Sequence, residues 1–324
     1  MTLRVAVIGC GTIARRLHVP ALIAAGAEVS VFASRSRASA QAAADEAGGG
    51  DVHTDWREAV VRADIDAVVV CTPNALHAPI AIAAAEAGKH VLVEKPFATS
   101  VADVDAMIAA AEAAAVVLMP AHNVRFAPPF QPMRAAFAAG RIGEVTSVRV
   151  AFCHAGPQNW APQAAWFRSV ESAGGGALMD LGVHVADTVR FILDDEFAEV
   201  TATVDALPID EDAVVGFRLA SGAIGSVHVG WRSPAAADQS IVVHGTAGTL
   251  RFDLTEGVRL DLPGTSSEQL PMADHVDNPC AVFVRSATDG GSPAPSAQDG
   301  RAAVAFVTAA YTSARTGSSQ LVGP

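Results

Sequence analysis

Leu3-Arg4-Val5-Ala6-Val7-Ile8-Gly9-Cys10-Gly11-Thr12-Ile13-Ala14 is an apolar run that ends in GxGxxA spacing. A Val- and Ile-rich run without polar alternation suits a strand buried on both faces of a parallel sheet. Thr12 to Ala25 carries a helical pattern, so the glycines sit in a strand-to-helix turn inside a βαβ unit, the context that gives such a triplet meaning. Gly9 permits the tight turn, Gly11 lets a pyrophosphate approach the backbone, and Ala14 keeps helix and strand close. The helix start then turns N–H groups and a positive dipole end toward the phosphates. Gly9, Gly11, Thr12, Ile13 and Ala14 are therefore expected to cradle a dinucleotide.

Strands and helices alternate outward from this turn. Strands are expected at Leu3–Ile8, Glu28–Ala33, Asp66–Cys71, His90–Glu94 and Val116–Ala121. Helices are expected at Arg37–Ala47, Asp55–Arg62, His77–Ala87 and Ser100–Ala114, the first stopped by Gly48–Gly50. The rhythm predicts a Rossmann-type doubly wound parallel sheet over residues 1–122. The texture changes at Asn123, where prolines gather. Short strands then follow at Val145–Cys153, Val200–Ala206, Ala213–Leu219, Ala223–Gly230, Gln239–His244 and Thr249–Asp253. Such a succession predicts an α+β domain over residues 123–324 with a large open, mainly antiparallel sheet. The helix at 298–315 is expected to pack back on the first domain.

The end of the second strand bears on the cofactor. An NAD site usually places Asp or Glu there, against the ribose 2′-hydroxyl. Here the residues are Phe32-Ala33-Ser34-Arg35-Ser36-Arg37, with no acid. Ser34 can hydrogen-bond a 2′-phosphate, and Arg35 or Arg37 can cap it with a planar cation. NADP is the expected cofactor, with NAD the alternative. Against this stands the plain reading that two arginines at a helix start are merely solvated. Cys71-Thr72-Pro73-Asn74 follows a buried strand at the carboxyl edge, where open α/β sheets bind ligands. Asn74 and His77 are expected near the nicotinamide ribose, although His77 reads equally well as a helix-start residue.

Two clusters carry chemistry. Glu94-Lys95-Pro96 ends another strand at the same edge, which suits Lys95 to bind the oxygen whose carbon exchanges hydride. Gly174-Gly175-Gly176 precedes a helix running to about Leu193 that carries Asp180 and His184, i and i+4 on one face. The glycines allow close approach by another backbone or by a ligand. Histidine suits proton transfer beside a hydride step because its pKa lies near neutrality. Alone, such an Asp/His pair is more often structural.

Composition narrows the class. The chain has 324 residues, half of them hydrophobic, and a net charge of −12. That charge repels nucleic acid and anionic lipid, so neither is an expected partner. The four cysteines, Cys10, Cys71, Cys153 and Cys280, are far apart, with no CxxC and no metal-type spacing. They read as reduced thiols of a cytoplasmic protein without a metal. No stretch reaches the ~18–20 apolar residues of a membrane span, and the first residues show no signal-peptide pattern.

Together, GxGxxA, CTPN, EKP and GGGxxxDxxxH resemble the Gfo/Idh/MocA oxidoreductase family, with EKP and DxxxH the specific combination. Arg125-Phe126 and His244-Gly245-Thr246-Ala247-Gly248 extend the resemblance over most of the chain. It implies that Lys95 is the catalytic lysine, Asp180 a substrate-binding acid and His184 the proton donor or acceptor. It further implies that Glu94 and Pro96 shape the loop, with Glu94 and Lys95 beside the cofactor, and that the second-domain sheet joins homodimers or homotetramers. Many members have Trp-Arg before the glycine run. This chain has Trp166-Phe167-Arg168, and Arg168 is the candidate for that cofactor contact. Arg125, Asn159 and Trp160 complete the expected substrate site, and Trp166 is a further candidate for stacking on a sugar, although both tryptophans read equally well as packing or interface residues.

The expected reaction is reversible oxidation of a secondary alcohol on a sugar, polyol or related carbohydrate. Two rivals use the same fold. A non-catalytic NADP-sensing regulator tends to lose the lysine or histidine, and both are present. Redox-assisted glycoside hydrolysis relies on a tyrosine base, and the single tyrosine, Tyr311, falls in the last helix.

Overall fold

The computed structural model describes residues 2–159, 161, 164–233, 238–273 and 277–323. They form two compact units. The first comprises Met1–His122, Glu171–Gly174 and Asp277–Arg301, and the second Asn123–Val170, Gly175–Val276 and Ala302–Pro324.

In the first unit, β1 (Arg4–Ile8), β2 (Glu28–Ala33), β3 (Asp51–His53), β4 (Ala67–Val70), β5 (His90–Val93) and β6 (Leu118–Pro120) pair in the order β3-β2-β1-β4-β5-β6. Every pairing is parallel. Helices α1 (Val19–Ala24), α2 (Arg37–Glu46), α3 (Trp56–Val60), α4 (His77–Glu86) and α5 (Val101–Ala114) intervene. Val5 through Ile8 are buried without alternation, as a strand covered on both faces must be. Strand order reverses between β1 and β4, so their carboxyl ends flank the crevice where such sheets take ligands. The edge strand β3 is an addition to the sequence reading. Asp-Val-His is too short for an apolar period and pairs with β2 alone.

The second unit holds α6 (Phe130–Ala138), β7 (Val145–Cys153) and α8 (Ala177–Leu193); the single turn α7 (Val170–Ala173) lies between β7 and α8. Then come β8 (Phe197–Val204), β9 (Asp212–Leu219), β10 (Ile224–Gly230), β11 (Asp238–Gly245), β12 (Thr249–Asp253), β13 (Gly257–Asp261) and β14 (Glu268–Leu270). With β15 (Gln320–Leu321) they make a nine-stranded sheet, β14-β13-β12-β11-β7-β10-β9-β8-β15. All neighbours are antiparallel except β7 and β10. Strand β9 alternates buried and outward residues, the pattern of a sheet with one covered face. Helix α8 packs on β7, β9 and β10 and is buried on nearly every side, which its apolar circumference requires. The sequence reading omitted β13, β14, β15 and α6. All but the five-residue β13 and nine-residue α6 are two or three residues long, and α6 follows prolines that read as a loop.

Helix α9 (Pro279–Asp289) is capped by Asn278, whose side chain accepts the Ala281 N–H. Its Cys280, Phe283 and Val284 join the core beneath β1 and β2 of the first unit. Helix α10 (Ala297–Thr316) follows. Among the described residues no helix is long and apolar enough to cross a membrane.

Candidate functional site

In the first unit Gly9 has φ +93°, and a side chain there would run into the Cys71 carbonyl on β4's carboxyl end. Only glycine meets both demands. A Cβ at Gly11 would meet nothing within 4 Å, so its backbone is open to approach. The first helical closure is Arg15 N–H to Gly11 O at 3.1 Å, and Ala14 is fully buried against the sheet. From Ala14 to His18 the helix takes a π turn. Thr72, across the crevice, has a buried hydroxyl with no hydrogen-bond partner. An open backbone, first-turn amides and an orphaned hydroxyl fit a dinucleotide phosphate and its ribose.

At the end of β2, Ser34 is half-buried while Arg35 and Arg37 are exposed. Neither arginine is in an ion pair among the described residues. Ser36 caps α2 by accepting the Ser39 N–H. No acid stands at Ser34 through Arg37.

Of the two readings of His77, the structure matches the helix-start residue, since His77 opens α4, and not the ribose contact. Its ring is fully buried, with Nδ1 2.8 Å from Pro96 O and Nε2 2.9 Å from Thr72 O. Burial holds its pKa below the ordinary value. The neutral ring has one N–H, which donates to one of the two carbonyls while the other nitrogen faces the second, so neither nitrogen is presented to a ribose. Asn74 is likewise buried and donates to Ala173 O at 2.8 Å. The thiols at the same edge are not nucleophiles. Burial pushes Cys10 up to about 12 and Cys71 well above its usual range.

Glu94 shapes its loop through a partner the sequence reading missed. His18 Nε2 lies 2.6 Å from Glu94 Oε1, His18 Nδ1 lies 3.2 Å from Cys280 Sγ, and Glu94 Oε2 accepts the Lys95 N–H at 2.9 Å. Burial opposes the imidazolium, but the Cys280 sulfur and the Glu94 carboxylate outweigh it and raise His18 to about 10. Glu94 titrates below its usual value despite its burial, because His18 hydrogen-bonds it. Lys95 is half-buried and precedes a cis bond to Pro96.

In the second unit Asp180 and His184 lie on α8, both buried. Asp180 Oδ2 accepts the Trp231 indole N–H at 3.1 Å, and the His184 ring lies 5.8 Å from the Phe152 ring. The start of α8 is held from outside the helix. Gly176 cannot cap it with a side chain, so Asp210 accepts the Gly176 N–H at 3.0 Å and the Leu178 N–H at 2.7 Å. Tyr311 donates to Asp210 at 2.5 Å and accepts the Gly176 and Met179 N–H groups at 3.0 and 3.2 Å. A side chain at Gly176 would collide with the Asp210 backbone, so close approach here is by protein rather than ligand. Burial raises the Asp210 pKa. This arrangement also takes Tyr311 out of contention as a base, since desolvation and the Asp210 carboxylate raise its pKa far above the ordinary value.

Three expected ligand residues have partners within the protein. Arg125 is buried and makes a two-pronged ion pair with Asp187 on α8, with one of the bonds at 2.8 Å. A guanidinium so committed braces the helix and is not a substrate ligand. Arg168 is exposed and pairs with Glu211 at 2.7 Å, and Trp166 stacks on Phe167 at 3.9 Å between ring centroids. Asn159 is exposed and ends a short turn, Pro157–Asn159, whose Pro157 is buried. Trp160 lies outside the described residues.

The chain is similar to known proteins over both units. Residues 3–122 match the model of the oxidoreductase family with an NAD-binding Rossmann fold, and residues 130–251 match the GFO/IDH/MocA C-terminal domain. The chain is 36% identical over 322 residues to 1,5-anhydro-D-fructose reductase of Ensifer adhaerens, covering 96% of each. It is 32% identical over 333 residues to inositol 2-dehydrogenase of Rhizobium meliloti, covering 97% of each. A structure of levoglucosan dehydrogenase in complex with NADH superposes with TM-score 0.89 at 26% identity over 100% of both chains.

Proposed function

Since the chain belongs to the Gfo/Idh/MocA family of nicotinamide-dependent oxidoreductases, we propose that it interconverts a secondary alcohol and a ketone on a sugar or polyol with a preference for NADP(H). The observation that carries the cofactor choice is the end of β2, where Ser34, Arg35 and Arg37 stand and no acid does. An acid there would repel a 2′-phosphate, whereas a free guanidinium attracts one. The carbohydrate class is supported by relatives named for anhydrofructose, inositol and levoglucosan.

The bound nicotinamide supplies the hydride acceptor or donor at its C4. The Lys95 ammonium hydrogen-bonds the reacting oxygen and stabilises charge that develops on it. His184 takes the hydroxyl proton in oxidation and returns it in reduction. Asp180, oriented by the Trp231 indole, binds a substrate hydroxyl. We place the protein in the cytoplasm as a dimer or tetramer joined through the nine-stranded sheet, a reading supported by Val214 and Ile224, exposed on β9 and β10.

A panel of sugars and polyols, followed by absorbance at 340 nm with each cofactor, tests the reading. Turnover is expected with at least one, and Lys95→Ala and His184→Ala are each expected to lower kcat by about tenfold or more. Wild-type turnover in either variant, or no turnover across the panel, removes it.

A further inference from the structure

We infer, resting on that reading, that the substrate carries an apolar substituent, and that a cavity of the second unit walled in part by His184 receives it. The cavity measures about 410 Å³, within the roughly 300–1,000 Å³ of small-molecule sites. Its floor is the helix-facing side of the large sheet: Val150 and Phe152 of β7, Ile241 of β11 and Phe252 of β12. Helix α8 supplies His184, Val185 and Thr188, and the segment Ala127-Pro128-Pro129 closes another side.

Three observations point to the chemistry of the occupant. Polar side chains on the wall are few: His184, Thr188, Gln239 and Ser240. A fully hydroxylated ring would surrender its water here and leave most hydroxyls unmatched, the costly outcome for buried polar groups. An alkyl or aryl group loses nothing by leaving water. Second, the Thr188 hydroxyl is buried and has no hydrogen-bond partner, although its residue is only 2% exposed. A helical threonine ordinarily satisfies itself on the carbonyl one turn back, and this one does not. Thr188 lines the cavity, so a rotation of its side chain would bring the hydroxyl to one polar atom of a ligand. Third, Leu254 and Met272 on the wall are 55% and 47% exposed, an apolar margin that the described residues leave uncovered. An apolar body with a single polar group toward α8 satisfies all three.

Cyclohexanol and myo-inositol are the matched probes, rings of one size with one hydroxyl or six. Each is titrated into the full chain loaded with NADP⁺ and followed by ligand-observed NMR. Cyclohexanol is expected to bind, and any binding of myo-inositol is expected to be at least about tenfold less sensitive than that of cyclohexanol to filling of the cavity. Ala127→Phe, which fills the cavity from its side, and Met272→Trp, which fills it from its exposed margin, are each expected to weaken cyclohexanol by about tenfold or more. Should Ala127→Phe fail to fold, Met272→Trp at an exposed position decides alone. Cyclohexanol binding untouched by the folded variants, no binding of cyclohexanol, or myo-inositol binding weakened by those variants as much as that of cyclohexanol overturns the inference. Each of these can occur while the panel of sugars still shows turnover, which leaves the proposed reaction standing. Cyclohexanol binding to a protein that oxidises no sugar upholds the cavity and removes the reaction.

Discussion

His18 Nε2 lies 2.6 Å from Glu94 Oε1, and the other oxygen of that carboxylate holds the backbone N–H of Lys95. The helix that follows the glycine turn therefore positions the lysine loop two strands away. Displacements near 1 Å can cost roughly a hundredfold in rate. His18→Ala is expected to lower kcat by about ten- to a hundredfold with little change in the KM for cofactor, and His18→Gln, which keeps an N–H for Glu94, is expected to recover part of it. A parallel loss in KM, or no recovery by glutamine, would mark His18 as general packing.

The same pair sets a pH dependence of stability. A histidine raised from 6.5 to about 10 binds its proton more tightly in the folded chain, so its contribution is full below pH 6.5 and fades as pH climbs toward 10. Glu94, held below 4.5, contributes above that value and loses its share as acid protonates it. Urea unfolding from pH 6.5 to 10 should show wild-type stability declining more steeply than that of His18→Gln. Cys280, on the other ring nitrogen, is the further titratable group in contact.

Removing both guanidiniums at the start of α2 tests the cofactor. Arg35→Ala with Arg37→Ala is expected to raise the KM for NADP by at least about tenfold, the scale of a lost charge-assisted contact to phosphate. The KM for NAD should hardly move. Equal effects on both cofactors would place the arginines elsewhere than on the 2′-phosphate.

Arg125 and Asp187 form an ion pair with side chains only 7% and 1% exposed. Breaking such a pair from one side leaves a buried charge, at a cost of about 3–5 kcal/mol. Asp187→Asn should lower the unfolding free energy on that scale in urea titration. A loss under about 1 kcal/mol would mean that water reaches the guanidinium.

Tyr311→Phe deletes one donor to Asp210 and the acceptor for two amides at the start of α8. The expected loss is about 1–3 kcal/mol of stability, with kcat reduced because Asp180 sits one turn along that helix. Unchanged melting and turnover would show that Asp210 alone suffices as the cap.

The glycine turn was legible because strand, GxGxxA spacing and helix follow one another in sequence, although the Cys71 carbonyl that excludes a side chain at Gly9 comes from the end of β4. Asp180 and His184 were legible because helical spacing aligns i and i+4. What escaped is long-range pairing. His18 meets residues 76 and 262 positions away, and Tyr311 meets Asp210 across 101, with no periodicity to announce either. The ribose reading of His77 and the ligand reading of Arg125 failed for the same reason. Their residue types suit ligands, but the carbonyls of Thr72 and Pro96 enclose both His77 nitrogens and the carboxylate of Asp187 holds the Arg125 guanidinium.

Cys280, Phe283 and Val284 belong to the core of a sheet whose strands all precede residue 122. On the ribosome, then, the parallel sheet emerges first but waits through some 150 further residues for the helix that seals it. Until translation delivers that helix, the nascent chain carries an uncovered apolar face, and a chaperone that recognises such faces has its longest opportunity in this interval.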